Sequence, residues 1–272
     1  MIVRLVQSYR PTNISGSDSR QVKAVNRACA ILSYLAECEV PQSISAIGDA
    51  MGIHRSTAFR LVKSLEAGRL ITREPLTGRY ELGLGLVAMS GFVLGRLEIL
   101  RIADPHLRWL ADETRETVSL AVLWENRALT IEQIPGANVL RSLDWLGQLT
   151  PLHRGSASKA LLAHLRVDER DAYLANLKSL DREIDLEDLT EQLDAIRERG
   201  YAVNREEVLP REFAVGAPIF NSSGQVCASV SAAVYREAIA EAYIQQLAAG
   251  VVETANSVSR QLGYGSRARS LA

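Results

Sequence analysis

The sequence of 272 residues is poor in cysteine and aromatic residues, and neither sign of charge dominates it. Its three cysteines, Cys29, Cys38 and Cys227, form no Cys-x-x-Cys pair and lie at no ligand spacing from a histidine. This argues against a disulfide framework and against a structural zinc site. No apolar run reaches the length of a membrane span. The first 20 residues lack the apolar segment of a signal peptide. These absences predict a cytoplasmic protein with no membrane partner.

Charged residues are unevenly distributed along the chain. Its length is typical of two domains, and 47% hydrophobic with 23% charged residues is an ordinary globular composition. Residues 1–83 contain 11 lysines and arginines against 7 aspartates and glutamates, whereas the remainder contains 20 against 25. A basic smaller domain before an acidic larger one is typical of a nucleic-acid-binding protein with an attached second domain.

The first part of the chain has the pattern of three short helices. Apolar residues recur at helical spacing over 22–38. Ser43 or Ser45 can cap a second helix, and Gly52 provides the turn after it. A third helix is expected over 54–67.

This third helix is amphipathic and precedes a basic hairpin. We expect Gly68 to end the helix at the C′ position. Strand-like runs at 69–73 and 79–82 flank the turn sequence Glu-Pro-Leu-Thr-Gly. An apolar stripe should pack on the first two helices, and it consists of Ala58, Leu61, Val62 and Leu65. Short helix, turn, second helix and basic hairpin is the order of a winged helix-turn-helix, which places one helix in the DNA major groove.

The polar face of the third helix has the chemistry of a DNA-binding surface. Arginine can donate two parallel hydrogen bonds to a guanine edge, and serine or threonine can contact a base or a phosphate. Base contacts are expected near the start of the helix, and phosphate contacts from Lys63, Arg73 and Arg79. The full expected set is Ser45, Arg55, Ser56, Thr57, Arg60, Lys63, Arg73 and Arg79. The alternative is a solvated charged face.

Downstream, an apolar segment with glycines at 84–97 suits a linker helix that packs on a partner chain, although a core helix within one chain has the same pattern. The rest predicts an α+β domain, because strands occur in groups of three with helices beside them. We expect helices at 102–116, 156–165, 169–177, 186–199 and 236–262, and strands at 117–124, 127–134, 139–143, 201–208, 213–220 and 225–234.

Blocks of residues in order across both parts resemble the IclR (isocitrate lyase regulator) family of bacterial transcription regulators, from about Val22 to Tyr264. The matching blocks are Ser56-Thr-Ala-Phe-Arg-Leu61, Thr77-Gly-Arg-Tyr-Glu-Leu-Gly83, Pro105-His-Leu107, Glu116-Thr-Val-Ser-Leu-Ala-Val122, Pro151-Leu-His153, Ser158-Lys-Ala-Leu-Leu-Ala163, Arg199-Gly-Tyr-Ala-Val203, Ala217-Pro-Ile219 and Ala228-Ser-Val-Ser231.

The resemblance implies an α+β protein with an N-terminal winged helix-turn-helix, a linker helix and a C-terminal GAF-like effector-binding domain. The implied boundaries are a flexible tail at 1–20, the DNA-binding domain at 21–83, the linker at 84–98, the effector domain at 99–265 and a tail at 266–272. It also implies double-stranded operator DNA, a small-molecule effector, and homodimers or dimers of dimers.

The expected function is a ligand-responsive repressor or activator of a metabolic, catabolic operon. The alternative is a small-molecule-binding module whose helix-turn-helix makes protein contacts only.

The family's effector pocket maps by position onto two regions of this sequence. In the first, backbone N–H groups at the start of the 156–165 helix would point at an anion. In the second, Ser229 and Ser231 are two residues apart, so both hydroxyls share one face of a strand; buried serines bonded to neighbouring backbone are the alternative. The mapped residues are Gly155, Ser156, Ala157, Ala214, Ser229 and Ser231. Of the three tryptophans, Trp145 lies in the variable loop before Pro151.

This sequence departs from the family near the pocket. Relatives often have a small residue where Arg154 stands, an acidic pair where Asn204 and Arg205 stand, and cysteine where Ala214 stands. Because these changes remove negative charge and add two cations, we expect an anionic effector, most simply a carboxylate, paired with Arg154 or Arg205. Both arginines could equally face solvent.

Ser156-Ala-Ser-Lys159 fits the Ser-x-x-Lys motif of penicillin-recognising enzymes, and His153 lies nearby as a possible base. No Ser-Asp-Asn follows, Lys-Thr-Gly occurs nowhere, and no orienting acid is evident. We therefore expect no catalytic activity, no metal and no cofactor.

Overall fold

The computed structural model describes residues 22–137, 145–180 and 184–265. They form two compact units that divide between Arg96 and Leu97. The expected tails and the expected strand at 139–143 lie outside the described residues. Of the helices described, none is long and apolar enough to cross a membrane.

The first unit is a winged helix-turn-helix followed by a further helix. Its strands pair antiparallel, with Ile71 opposite Leu82. The elements are α1 (Lys23–Ala36), α2 (Ile44–Ala50), α3 (Arg55–Ala67), β1 (Ile71–Arg73), β2 (Tyr80–Leu82) and α4 (Leu84–Leu94). One buried cluster joins the three helices to both strands: Ile31, Leu35, Ile47, Val62, Leu65, Ile71 and Tyr80.

Local capping sets where helices α2 and α3 begin. Ser43 Oγ accepts a hydrogen bond of 3.1 Å from the backbone N–H of Ala46, as expected for an N-cap. The His54 side chain accepts a bond from the N–H of Ser56 at the start of α3.

The end of α3 differs from the expectation. Gly68 has φ −79°, and Arg69 has the left-handed φ of 59°. The N–H of Leu70 reaches back to the carbonyl of Leu65 (3.0 Å), which places the left-handed C′ position one residue later than predicted.

The second unit is a six-stranded antiparallel sheet in the order β5-β4-β3-β8-β7-β6, with helices packed on it, and this confirms the α+β prediction. Helix α9 contacts β7, β8 and α5, whereas α6 contacts β7, β8 and α8. The elements are α5 (Glu98–Thr114), β3 (Thr117–Trp124), β4 (Arg127–Ile134), β5 (Leu149–Pro151), α6 (Ser156–His164), α7 (Val167–Leu180), α8 (Leu186–Arg199), β6 (Ala202–Arg205), β7 (Glu212–Phe220), β8 (Val226–Tyr235) and α9 (Glu241–Gln261).

Several elements of this unit differ from the sequence prediction, among them α5, α7 and β6, and the largest differences are strand β5 and the start of α9. Strand β5 was not expected, because three residues paired to β4 are too short to show an alternating pattern. Helix α9 begins at Glu241 and not at 236. The preceding segment is tied to the sheet, since Arg236 donates to the buried Glu116 at 2.7 Å and its N–H bonds to the carbonyl of Arg211.

Gly216 allows strand β7 to approach the first turn of α6 closely. A Cβ atom at this position would lie 2.6 Å from the carbonyl carbon of Ser156 and 2.7 Å from the amide nitrogen of Ala157. Both are backbone atoms, so no side-chain movement could relieve the contact. The distance between the helix start and the sheet therefore depends on a residue without a side chain.

We expect Gly216→Ala to lower the thermal unfolding temperature, because overpacking against backbone typically costs about 1–3 kcal/mol. Differential scanning calorimetry on the full chain measures it. Gly68→Ala is the control: Gly68 is exposed with φ −79°, and a Cβ there would meet its nearest atom at 3.5 Å, an ordinary contact. Equal unfolding temperatures for the Gly216 variant and the parent protein would contradict the close approach.

Candidate functional site

The exposed face of α3 forms one wall of a groove in the first unit, with a volume of about 860 Å³. The start of α2 and the β1–β2 hairpin complete the groove. Seven of the eight residues expected to bind DNA line it: Ser45, Arg55, Ser56, Arg60, Lys63, Arg73 and Arg79. Thr57 is half-buried and is not among the lining residues. The lining contains five cationic side chains and no carboxylate, so the groove favours a polyanion.

The cations of this groove differ in how firmly they are held. Arg73 Nε donates to the carbonyl of Gly78 (3.0 Å), which fixes it across the hairpin turn. Lys63 Nζ pairs with Glu66 (2.6 Å), and this hydrogen bond raises the pKa of the lysine. Among the described residues, Arg55 and Arg60 have no carboxylate partner within ion-pair distance. These two arginines are therefore available to an incoming ligand.

Sequence reasoning did not assign an exposed aromatic residue that lines the groove. Phe59 lies on α3 between the polar residues and remains 48% exposed. Its position outside the apolar stripe is the signal that could have identified it, because a large aromatic residue off the buried face has no core to join.

The second unit contains a small cavity of about 60 Å³ between the first turn of α6 and the sheet. Five residues of the expected effector pocket line it: Gly155, Ser156, Ala157, Ala214 and Ser231. Further lining residues come from α6, from the sheet and from loops, and these are Ser158, Ser119, Thr130, Thr150, Glu212, Ala233, Trp145 and Val208.

The start of α6 supplies the cavity with backbone donors. Gly155 adopts φ +79°, which positions the chain to enter the helix, and no side chain caps the helix. The first intrahelical bond runs from the N–H of Lys159 to the carbonyl of Gly155. The N–H groups of Ser156, Ala157 and Ser158 precede that bond and have no acceptor within the helix, so an acceptor in the cavity would find donors and the positive end of the helix dipole.

The opposite side of the cavity carries a buried carboxyl group that sequence reasoning missed. Glu212 is only 6% exposed, and its Oε2 atom has no hydrogen-bond partner. Burial raises the pKa of Glu212 to about 7. The hydroxyl of Tyr235, opposite Glu212 on β8, is also buried without a hydrogen-bond partner. An acidic residue at the start of the otherwise apolar run Phe213–Phe220 was the available signal.

The structure does not bring Arg154 and Arg205 to this cavity, which corrects the expected placement beside the α6 donors. Arg205 pairs with Glu241 at 2.6 Å on the surface. Arg154 lines a separate depression together with Lys159, Asp185 and Glu207.

Two other expected residues lie behind the cavity wall. Asn204 is buried, accepts from the N–H of Glu207 (3.1 Å) and lies 3.4 Å from the carbonyl of Glu212, to which it donates. Ser229 is fully buried with no partner for its hydroxyl, and it is not among the lining residues. Asn204 therefore positions the turn that leads to β7.

Lys159 of the Ser-x-x-Lys sequence has a structural role in this unit. It is 3% exposed, and its Nζ binds Glu207 (2.5 Å) and Gln192 (3.0 Å). Glu207 also accepts from the N–H of Gly155 (3.2 Å). The Lys159 side chain is thus held between these partners, and through Glu207 it orients the loop before α6.

The raised pKa of Glu212 predicts a pH-dependent stability. Below pH 4.5, the usual pKa of a glutamate, Glu212 is protonated in both the folded and the unfolded protein. Between pH 4.5 and about 7 only the folded protein keeps this proton, so the free energy of unfolding falls as the pH rises. Relative to Glu212→Gln, the parent should lose about 3 kcal/mol across this interval. Urea unfolding at pH 4.5, 5.5, 6.5 and 7.5 measures it. A constant difference between the two proteins would contradict the raised pKa.

The two units match known protein families and structures. Residues 24–75 match the IclR helix-turn-helix domain, and residues 91–260 match the C-terminal domain of the bacterial transcriptional regulator IclR. The HTH-type transcriptional regulator KipR of Bacillus subtilis is 30% identical over 226 residues, 82% of this chain and 90% of KipR. The HTH-type transcriptional repressor AllR of Salmonella typhimurium is 29% identical over 258 residues, 93% of this chain and 95% of AllR.

The fold comparison agrees with the sequence comparison. The crystal structure of the Thermotoga maritima IclR has a TM-score of 0.70 and 28% identity, covering 90% of this chain and 100% of that one. These matches confirm the resemblance seen in the sequence, and they are to regulators and not to enzymes. The chain belongs to the IclR family of bacterial transcriptional regulators.

Proposed function

We propose that the groove of the first unit binds double-stranded operator DNA, with α3 in the major groove. The observation that carries the proposal is the concentration of five cations without a carboxylate along one concave face. A helix of 13 residues with one buried and one polar face has the dimensions of a recognition helix.

Within this groove the residues divide into two roles. Arg55, Ser56 and Arg60 lie in the first half of α3 and contact base edges; Phe59 beside them offers an apolar surface to a thymine methyl group. Lys63, Arg73 and Arg79 lie toward the hairpin and bind phosphates, which adds affinity and salt dependence.

We expect Arg60→Ala to weaken binding to the DNA upstream of the protein's own gene by about 10- to 100-fold, because one bidentate base contact is worth about 1–3 kcal/mol. The measurement is fluorescence anisotropy at fixed salt, with a scrambled duplex beside the native one. Arg166→Ala, an exposed arginine of the second unit paired with Asp168, is the control with the same charge change. Equal losses on the native and scrambled duplexes would assign Arg60 to phosphates, and no loss would remove it from the interface.

Helix α4 supports assembly into a homodimer. None of its 11 residues is buried, although the helix is strongly apolar. Leu84 is 84% exposed and Phe92 is 74% exposed. An apolar helix that its own chain leaves uncovered fits a second copy of the same chain. Two winged helices in one dimer would then present two recognition helices to a two-fold symmetric operator.

We expect Phe92→Glu to dissociate this dimer, because a charge on the apolar helix must be desolvated on association. Sedimentation velocity at micromolar concentration gives the mass of the species. Leu76→Glu, at a 94% exposed position on the hairpin, is the control that adds the same charge elsewhere. A parent protein that sediments as a monomer, or a variant that remains dimeric, would contradict the role of α4.

We propose that the cavity beside α6 binds the small-molecule effector that controls DNA binding. A ligand that binds one arrangement of the dimer more tightly than another shifts the population of DNA-binding-competent protein. A metabolite that binds in this cavity would thereby control transcription of a metabolic operon.

A further inference from the structure

The cavity between α6 and the sheet has two polar sides of opposite character. On one side are the free N–H groups of the first turn of α6. On the other is the carboxyl group of Glu212, which is more than nine-tenths buried and leaves Oε2 without a hydrogen-bond partner. Buried polar atoms are nearly always paired in folded proteins, so this unpaired carboxyl oxygen and the equally unpaired hydroxyl of Tyr235 opposite it indicate a place where a ligand makes hydrogen bonds.

Strand register places Glu212 on the same face of the sheet as the other lining residues. In β7, Glu212 and Ala214 are two residues apart and therefore lie on the same face of the sheet. Their partners in β8 are Tyr235 and Ala233, respectively. Ser231 is opposite Gly216, the residue that contacts the start of α6. The carboxyl group, the serine hydroxyl and the helix donors thus surround one small volume.

A carboxylate without a donor group uses only one side of this volume. Its oxygens would satisfy the α6 donors, but no described arginine lines the cavity to neutralise a second negative charge. Such a ligand fits only while Glu212 keeps its own proton, because bringing two acidic groups together raises the cost of ionising either one, and it supplies no N–H group to Glu212 Oε2.

We propose that the effector is a small molecule bearing both a hydrogen-bond acceptor and an N–H donor, such as a small amino acid or an N-carbamoyl acid. The acceptor, a carboxylate or carbonyl, binds the N–H groups of Ser156, Ala157 and Ser158. The amine or amide N–H donates to Glu212. This assignment rests on the proposed effector role of the cavity and specifies the chemical class of its ligand.

The volume of the cavity limits the size of this ligand. About 60 Å³ holds about four to six water molecules, since one water needs about 10–15 Å³. Glycine, alanine and β-alanine fall in this size range, and N-carbamoylglycine lies just above it.

Isothermal titration of the full chain with matched pairs of probes tests the assignment. The pairs are glycine with acetate, alanine or β-alanine with propionate, and N-carbamoylglycine with levulinate, which has CH2 and CH3 in place of the two nitrogen groups. We expect at least one donor-bearing probe to bind about 10- to 100-fold more tightly than its partner, the factor typical of one charge-assisted hydrogen bond. Glu212→Leu, which keeps the site filled with a side chain of similar length but removes the acceptor, should abolish that preference.

Two further variants keep the test decisive. Glu212→Gln retains an acceptor without charge, so it should weaken the amines more than N-carbamoylglycine. Glu237→Gln changes an exposed glutamate outside the cavity and should leave every affinity unchanged. Partners without a donor binding as tightly as the donor-bearing probes, or no donor-bearing probe binding at all, would overturn the assignment. Binding of the unliganded parent protein to its upstream DNA is measured separately, so failure here is distinct from failure of the regulator function.

Discussion

The close approach of strand β7 to the first turn of α6 determines the geometry of the second unit. Gly216 lets the backbone of the strand lie where any side chain would overlap Ser156 and Ala157. This contact brings the unpaired N–H groups of the helix next to the sheet, and it leaves only a small volume between them. The buried Lys159–Glu207 pair, which also binds the N–H of Gly155, holds the loop at the entrance to the helix. The N–H groups of α6 and the buried carboxyl group of Glu212 therefore have fixed positions around the cavity.

In the first unit, helix α3 packs into the core with one face and presents the proposed binding surface with the other. Ala58, Val62 and Leu65 bury one face, so the position of the polar face is fixed by the core. The hairpin places Arg73 and Arg79 beside that face, and the hydrogen bond from Arg73 to Gly78 reduces the entropy lost on binding. The groove is therefore preorganised to the extent that the hydrophobic cluster of this unit is intact.

Much of this architecture could be predicted from sequence because the relevant signals are local. Apolar periodicity predicted α3 to within a residue, and strands 117–124 and 127–134 and helix 186–199 agree with the structure. The predictions failed for side chains whose positions are set by contacts with residues distant in the sequence. Arg205 was expected near the effector, but its strand position brings it to Glu241, which is 36 residues away. Glu212 was missed because only the pairing of β7 with β8 and α6 shows that it is enclosed.

The claim that α3 reads an operator sequence can be tested most directly by a hydroxyl-radical footprint of the full chain on the DNA upstream of its own gene. The account predicts a discrete protected region of two half-sites related by two-fold symmetry, one for each recognition helix of a dimer. Uniform protection along the DNA, independent of sequence, would contradict it.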